Sequence, residues 1–323
     1  MNFHQIESVC EIVKQRFNMS EAALALNRSQ PALSRQIAQL EKDLGVRVFS
    51  RTRNKIVGLT PEGGEVYTIG QRIAREVEQL RHVVSGAAEG NPELRIATTH
   101  THARYSLPKV IKRFNEQSPK VLLNLRQGGD PLQCCQLVAD GEADVGITTD
   151  IERLPRESVA IPAFKLSRCV LAPRTHPVTR EKLTLQKIAQ YPIIAYSRPP
   201  GGRWVFDSAF AEAGLRPRIA MSAIDADVSK TYIALGLGIA VLASIAYDPE
   251  QDRNLIALNA DHLFRPGLIV LVFRRGAYVS RHTYAFLSLF APHIPPVLIR
   301  RWVDGQETDR AQLIRTVPTA KFL

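Results

Sequence analysis

The chain has 323 residues, 45% of them hydrophobic and 23% charged, a globular composition that excludes a disordered chain and leaves room for two or three domains. Its formal net charge of +11 favours a polyanionic partner, nucleic acid above all. The four cysteines, Cys10, Cys134, Cys135 and Cys169, form no C-x-x-C pair, which excludes a disulfide framework and a zinc-type site and fits a reducing compartment.

The opening MNFHQIESVC is too polar for a signal peptide, and the apolar run at Leu235–Tyr247 is too short to span a bilayer. The expectation is a cytoplasmic protein with no membrane partner. In the first helix Phe3, Ile6, Val9, Ile12 and Val13 share one face. A second begins near Asn18 with Glu21 placed for a capping box, and carries Ala22, Ala23 and Leu26. A third begins near Ser29–Gln30, tolerates Pro31 in its first turn, sets Leu33, Ile37, Leu40 and Leu44 on one face, and stops at Gly45. Arg51, Thr52, Arg53, Asn54 and Lys55 then form a basic hairpin.

Thr60-Pro61-Glu62 is a strong helix start. That helix is expected to run to about Ser85. Val66, Ile73 and Leu80 recur every seven residues, as do Val77 and Val84, and the spacing predicts a short dimerising seam rather than packing on its own domain. Gly86 to Pro92 reads as a hinge. Beyond it strands alternate with helices, which predicts βαβ units and a mostly parallel sheet. Strands are expected at Leu94–Thr98, Val121–Leu125 and Ala143–Thr148, with helices at Ala103–Gln117 and Pro131–Asp140. A second series starts at Ser167–Ala172 and includes Ile193–Tyr196 and a helix from Val228 to Leu237. Two such runs suggest two lobes with a cleft between them. The tail after Pro296 is polar and shows no partner.

The fold class is therefore α/β overall, with an N-terminal all-α winged helix-turn-helix at 1–59 and a long linker helix at 60–87. An effector domain at 88–295 follows, with lobe I at about 92–163 and 267–293 and lobe II at about 164–266. The tail is 296–323. In a helix-turn-helix the second helix enters the major groove by its N-terminal end. Gln30, Pro31, Ser34 and Arg35 occupy that end, Gln being suited to adenine and Arg to guanine or phosphate. Arg51, Arg53 and Lys55 would neutralise phosphates. The stretch from Asn18 to Gly64 closely resembles the N-terminal signature of LysR-type transcriptional regulators. The likeness lies at Ala22-Ala23, Ser29-Gln30-Pro31-Ala32-Leu33-Ser34, Leu40-Glu41, Leu44-Gly45, Phe49, Arg51, Leu59-Thr60 and Gly64. That resemblance implies double-stranded DNA and RNA polymerase as partners, a dimerising helix, a two-lobed effector domain of the periplasmic-binding-protein type, and homodimers assembling into a homotetramer.

The strand Leu94–Thr99 runs into Thr99-His100-Thr101-His102 directly before a helix, a place where small anions bind. Helix capping explains the same threonines, so local chemistry leaves both readings open. The segment Ile96–Pro108 resembles the CysB/Cbl branch of the family, regulators of sulfur assimilation and sulfonate use. Gly141-Glu142-Ala143-Asp144, Asp225-Ala226-Asp227-Val228 and Lys230-Thr231-Tyr232 agree with it. The resemblance runs to about residue 293. It implies a transcription activator with no cofactor, and an effector such as sulfate, thiosulfate or acetylserine held at Thr99, Thr101 and Thr149; His100, His102, Gly201, Gly202 and Arg203 are candidate contacts beside them. The branch has Gln where this chain has His102, and Thr-Gly-Arg where it has Gly201-Gly202-Arg203. The second change removes a hydroxyl worth roughly 0.5–1.5 kcal/mol. Asp225 and Asp227 read as helix caps rather than metal ligands, with Lys230 as a partner. A free-standing periplasmic-type binding protein lacks a reason for the helix-turn-helix. An enzyme lacks a nucleophile–base motif, a phosphate loop or metal spacing; His100 and His102 alone are weak evidence.

Overall fold

In the computed structural model α1 spans Phe3–Lys14 and starts at a capping box between Asn2 and Gln5. The structure describes residues 1–53, 55–84, 92–149, 153–180, 182–197, 204–307 and 309–320, in two units, 1–90 and 91–323. The Asn18 side chain accepts from the N–H groups of Ser20 and Glu21 and so starts α2, Met19–Ala25. Asn27 takes a left-handed φ of 52°, which an Asn tolerates, and the chain turns at once into α3, Gln30–Leu44. Ser29 caps α3, and Gly45 at φ 71° ends it. Val9, Ile12, Ala22, Ala23, Leu33, Ile37 and Leu40 form the core between these helices. Leu44 shares their face in sequence, but at the helix end it is 36% exposed.

β1 (Phe49–Thr52) and β2 (Lys55–Leu59) pair antiparallel as a wing. The Thr60 hydroxyl accepts from the Gly63 N–H and starts α4, Pro61–Val84. A Cβ at Gly63 would lie 1.8 Å from the Val48 carbonyl oxygen, so only glycine lets α4 enter this close to the wing. Val66 packs on this unit's own core, so the first position of the expected seam turns inward. Ile69 at 47% and Leu80 at 62% are exposed. Residues 85–91, most of the expected hinge, lie outside the described residues.

The second unit carries three sheets among the described residues, one in lobe I and two in lobe II. Lobe I contains β3 (Glu93–Thr98), α5 (His100–Tyr105), α6 (Pro108–Gln117), β4 (Leu122–Gln127), α7 (Pro131–Ala139), β5 (Val145–Thr149) and β6 (Ser158–Leu166). Lobe II follows with β7 (Arg168–Pro173), α8 (Leu185–Ala189), β8 (Ile193–Tyr196), α9 (Trp204–Glu212), β9 (Ile219–Ala223), α10 (Ala226–Ala234), β10 (Ala240–Ala243) and β11 (Leu255–Asn259). The chain returns to lobe I through β12 (Gly267–Arg274) and α11 (Arg281–Phe290), then α12 (Pro296–Val303) and α13 (Arg310–Thr316). The lobe I sheet has the order β4-β3-β5-β12-β6; in lobe II β7 lies between β10 and β11, and β8 pairs with β9. Phe114 and Phe286 meet edge to face at 5.4 Å in the lobe I core, while Phe206, Phe210 and Phe264 fill lobe II.

Three expectations need correction. The sheets are mixed rather than mostly parallel: β3 runs parallel to β4 and β5, and β8 to β9, but β12 and β7 are antiparallel to all their partners. These are the strands by which the chain leaves and re-enters the lobes. The single helix expected at Ala103–Gln117 is two, because Pro108 cannot continue α5 and instead begins α6. The tail has a partner: Ile299, Trp302 and Val303 are buried. The Lys165 N–H donates to the Pro318 carbonyl and the Ala320 N–H to the Lys165 carbonyl, laying 318–320 along β6.

Candidate functional site

In the N-terminal unit Gln30, Pro31 and Arg35 are exposed at the start of α3, and Ser34 is half-buried. The Gln30 side-chain oxygen accepts from the Ser20 hydroxyl at 3.2 Å, which holds it against α2. Arg28, in the turn, donates to Ser8, Gln36 and Glu7 at 3.0–3.2 Å and so fixes α3 against α1. In the wing, Glu41 accepts from the Val48 and Phe49 N–H groups, and the Arg51 guanidinium lies 3.5 Å from it. Arg51 is thus tied to its own domain, whereas Arg53 and Lys55 stand exposed with no ion pair among the described residues. The arrangement offers hydrogen-bonding side chains at one helix end and cations beside it.

In the second unit β3 and β5 end side by side at Thr98 and Thr149, and the polar residues gather at those carboxyl ends. Thr99 occupies the N-cap position of α5, yet its side chain makes no capping bond. The capping reading of Thr99 is therefore set aside. α5 itself has only six residues, so its N-terminus adds little dipole, and the side chains carry the chemistry. The Thr101 side chain comes near Tyr196 at the end of β8, so that lobe I and lobe II approach each other here. Burial pushes the Tyr196 hydroxyl up to about 12, so it stays protonated. His102 is 1% exposed; its Nδ1 lies 3.1 Å from Ser106 Oγ and its Nε2 lies 3.3 Å from Thr149 Oγ1. Burial, helped by the charge of Arg168, brings its pKa down to about 4, so the imidazole is neutral. Arg168, the first residue of β7, is 7% exposed, and its backbone N–H donates to Asp261.

A second set of contacts joins α5 to α10 across the lobes. The Tyr105 hydroxyl donates to Asp227 at 2.5 Å, Arg104 Nε lies 3.0 Å from the same carboxylate, and Lys230 Nζ lies 3.6 Å from it. Burial works against the Asp227 charge, but the Tyr105 bond and the Lys230 and Arg104 charges outweigh it and hold its pKa below 3.8. Lys230 also donates to Asp252 and the Ala246 carbonyl. Asp225 caps α10, accepting from the Val228 N–H at 2.8 Å. With His100, the two aspartates bring three ligand-type atoms within 4.8 Å of one another. Arg104 and Lys230 already supply the positive charge there, so the cluster reads as an ion-pair bridge.

The structure brings Thr99, Thr101, His102 and Thr149 to one end of the cleft and places His100 at the ion-pair bridge. Gly201, Gly202 and Arg203 lie outside the described residues. Sequence reasoning missed Arg104, Tyr105, Ser106, Arg168 and Tyr196. Tyr196 alone had a signal, as the last residue of an expected strand. Burial raises the thiols of Cys134, Cys135 and Cys169 to about 11, 12 and 12, which removes them as nucleophiles. No helix among the described residues is long and apolar enough to cross a membrane.

Comparison with known proteins agrees with both halves. Residues 3–64 match the bacterial regulatory helix-turn-helix protein family of the lysR type, and residues 87–294 match the LysR substrate binding domain. The chain is 44% identical over 297 residues to the HTH-type transcriptional regulator SsuR of Burkholderia cenocepacia, covering 91% of this chain and 96% of that one. It is 40% identical over 308 residues to the regulator CysB of the same organism, covering 95% and 98%. The crystal structure of the cofactor-binding domain of the Cbl transcriptional regulator superposes with a TM-score of 0.61 at 40% identity, covering 67% of this chain and 97% of that one.

Proposed function

The chain belongs to the LysR family of bacterial transcriptional regulators, and we propose that it controls sulfur-metabolism genes in response to a small oxyanion held between its two lobes. The sulfur assignment rests on the likeness to CysB and Cbl at Ile96–Pro108 and along nine-tenths of the chain. The effector class rests on chemistry. Thr99, Thr101, Thr149 and Tyr196 are neutral hydroxyl groups at the ends of β3, β5 and β8, and Arg168 adds buried positive charge nearby. Hydroxyl donors set against buried positive charge suit sulfate, thiosulfate, a sulfonate or the carboxylate of an acetylserine. One observation carries the reading: the Thr99 hydroxyl sits at a helix start without capping it.

DNA contact is assigned to Gln30, Ser34 and Arg35 on α3, with Arg53 and Lys55 on the backbone phosphates. The mechanism follows from the cross-lobe bonds. An effector that adds contacts to both lobes favours the closed arrangement that Tyr105–Asp227 and Arg104–Asp227 already hold, and so shifts an existing population. In a homodimer or homotetramer on two half-sites that shift alters the bend of bound DNA and the approach of RNA polymerase, as an activator requires. Thermal stability of the full chain, measured against sulfate, thiosulfate, acetylserine and methanesulfonate, tests the effector class. A ligand of the folded state raises stability by an amount set by its concentration over its dissociation constant. A shift with one of these compounds, lost in Thr99→Ala, is the expected result; no shift with any of them overturns the oxyanion reading.

A further inference from the structure

We infer that Ser106 locks His102 in the tautomer that leaves Thr149 presenting its hydroxyl proton, rather than its lone pairs, to the cleft. The inference rests on the reading of Thr149 as an effector contact and names what that contact demands: an acceptor atom on the ligand.

The argument is one of donor and acceptor counting. A neutral imidazole has one N–H donor and one bare nitrogen, and each ring nitrogen of His102 faces a hydroxyl. Two arrangements satisfy the ring. In the first, Ser106 donates to Nδ1, and Nε2–H donates to Thr149 Oγ1, so the Thr149 proton is free to turn elsewhere. In the second, Nδ1–H donates to Ser106 Oγ, and Thr149 uses its proton on Nε2, showing only lone pairs to a ligand.

The surroundings of Ser106 separate the two. Ser106 is 2% exposed, and among the described residues its hydroxyl meets no acceptor other than His102 Nδ1. The second arrangement strands the Ser106 proton in a dry interior. An unmet buried donor shifts such an equilibrium by roughly tenfold or more. Thr149 is half-buried at the end of β5, so in the first arrangement its free proton can reach the cleft. The spacing that builds the lock is local: Ser106 follows His102 by four residues, at the end of α5.

The lock gives the pocket a fixed polarity at Thr149. A sulfate, sulfonate or carboxylate oxygen fits there, and an ammonium does not. An amino-acid-like ligand would have to turn its carboxylate or carbonyl toward Thr149. A glutamine at position 102 could present either end of its amide; the histidine, held from behind by Ser106, cannot.

Nitrogen NMR of the full chain labelled with 15N-histidine reads the tautomer directly at neutral pH, the His102 signals being identified by their loss in His102→Gln. The expected spectrum has a bare Nδ1 and a protonated Nε2 without any ligand present. A protonated Nδ1 overturns the inference. The second measurement is calorimetric titration with sulfate. Ser106→Ala, a small change that leaves the pocket walls in place, should mix the two tautomers and weaken sulfate binding by roughly fivefold. Unchanged affinity together with an unchanged tautomer in Ser106→Ala also overturns it. A chain that shows protonated Nε2 but binds none of the oxyanions supports the lock and breaks the effector reading instead, so the two fail separately.

Discussion

The DNA-reading end of α3 and the floor of the cleft use similar side chains in opposite ways. At the start of α3, Gln30 is exposed and accepts from the Ser20 hydroxyl, and Arg35 stands exposed without an ion pair among the described residues. In the cleft, His102 is bonded at both ring nitrogens, and Asp227 is shared by Arg104, Tyr105 and Lys230. The first surface is finished only by a partner of known regular shape. The second is largely committed to its own bonds, leaving the Thr99 hydroxyl and the Thr149 proton for a ligand. Substitutions in the cleft should therefore register in folding stability, and substitutions on α3 in DNA affinity alone.

The largest contrast is expected at His102. Its folded pKa of about 4 lies below the ordinary 6.5, so the unfolded chain binds more protons between those values. Stability is then full above pH 6.5 and falls as pH drops toward 4, by about 3 kcal/mol in all. His102→Gln should flatten that part of the curve in denaturant titrations across pH. Next is Arg35→Ala, which should weaken binding to a specific operator by about 2 kcal/mol in fluorescence anisotropy and move folding stability by under roughly 0.5 kcal/mol. A drop in stability of the same size would erase the contrast. Asp227→Asn should lower stability by about 1 kcal/mol, since it removes the charge facing Arg104 and Lys230 from a partly exposed bridge. That contribution is present above pH 3.8 in the native chain and is lost as pH falls below it, because the folded pKa is depressed. The smallest effect belongs to Arg53→Ala: about one unit less in the slope of log affinity against log salt, with base preference kept.

The contrast also explains what could be read from sequence. α1 to α3 are set by local signals: Asn18 and Ser29 as caps, Pro31 at a helix start, Gly45 at an end, and an apolar face that repeats. Residues that face outward for a partner need no knowledge of the rest of the chain. The cleft is built from residues far apart in sequence, such as Thr101 with Tyr196 and Tyr105 with Asp227, and no local pattern pairs them. β6 escaped for a local reason. Pro162 argues against a strand, but here it sits on an edge strand where Val270 faces Pro162, Ile269 faces Phe164, and Ala163 is bulged out. α12 escaped because Arg300 and Arg301 interrupt a helix whose other face buries Ile299 and Trp302.

The short run at 318–320 is bonded to both backbone groups of Lys165 and covers part of β6's open side. β6 is the outer strand of the lobe I sheet, and its other side is paired with β12. An outer strand with open N–H and C=O groups is a template on which another chain can add itself. The C-terminal segment occupies that template, and the bulge at Ala163 bends the remainder out of line. Cutting the chain after α12 would thus uncover a sticky edge on a protein still able to fold, and the loss would show first as precipitation during concentration rather than as a lower melting point.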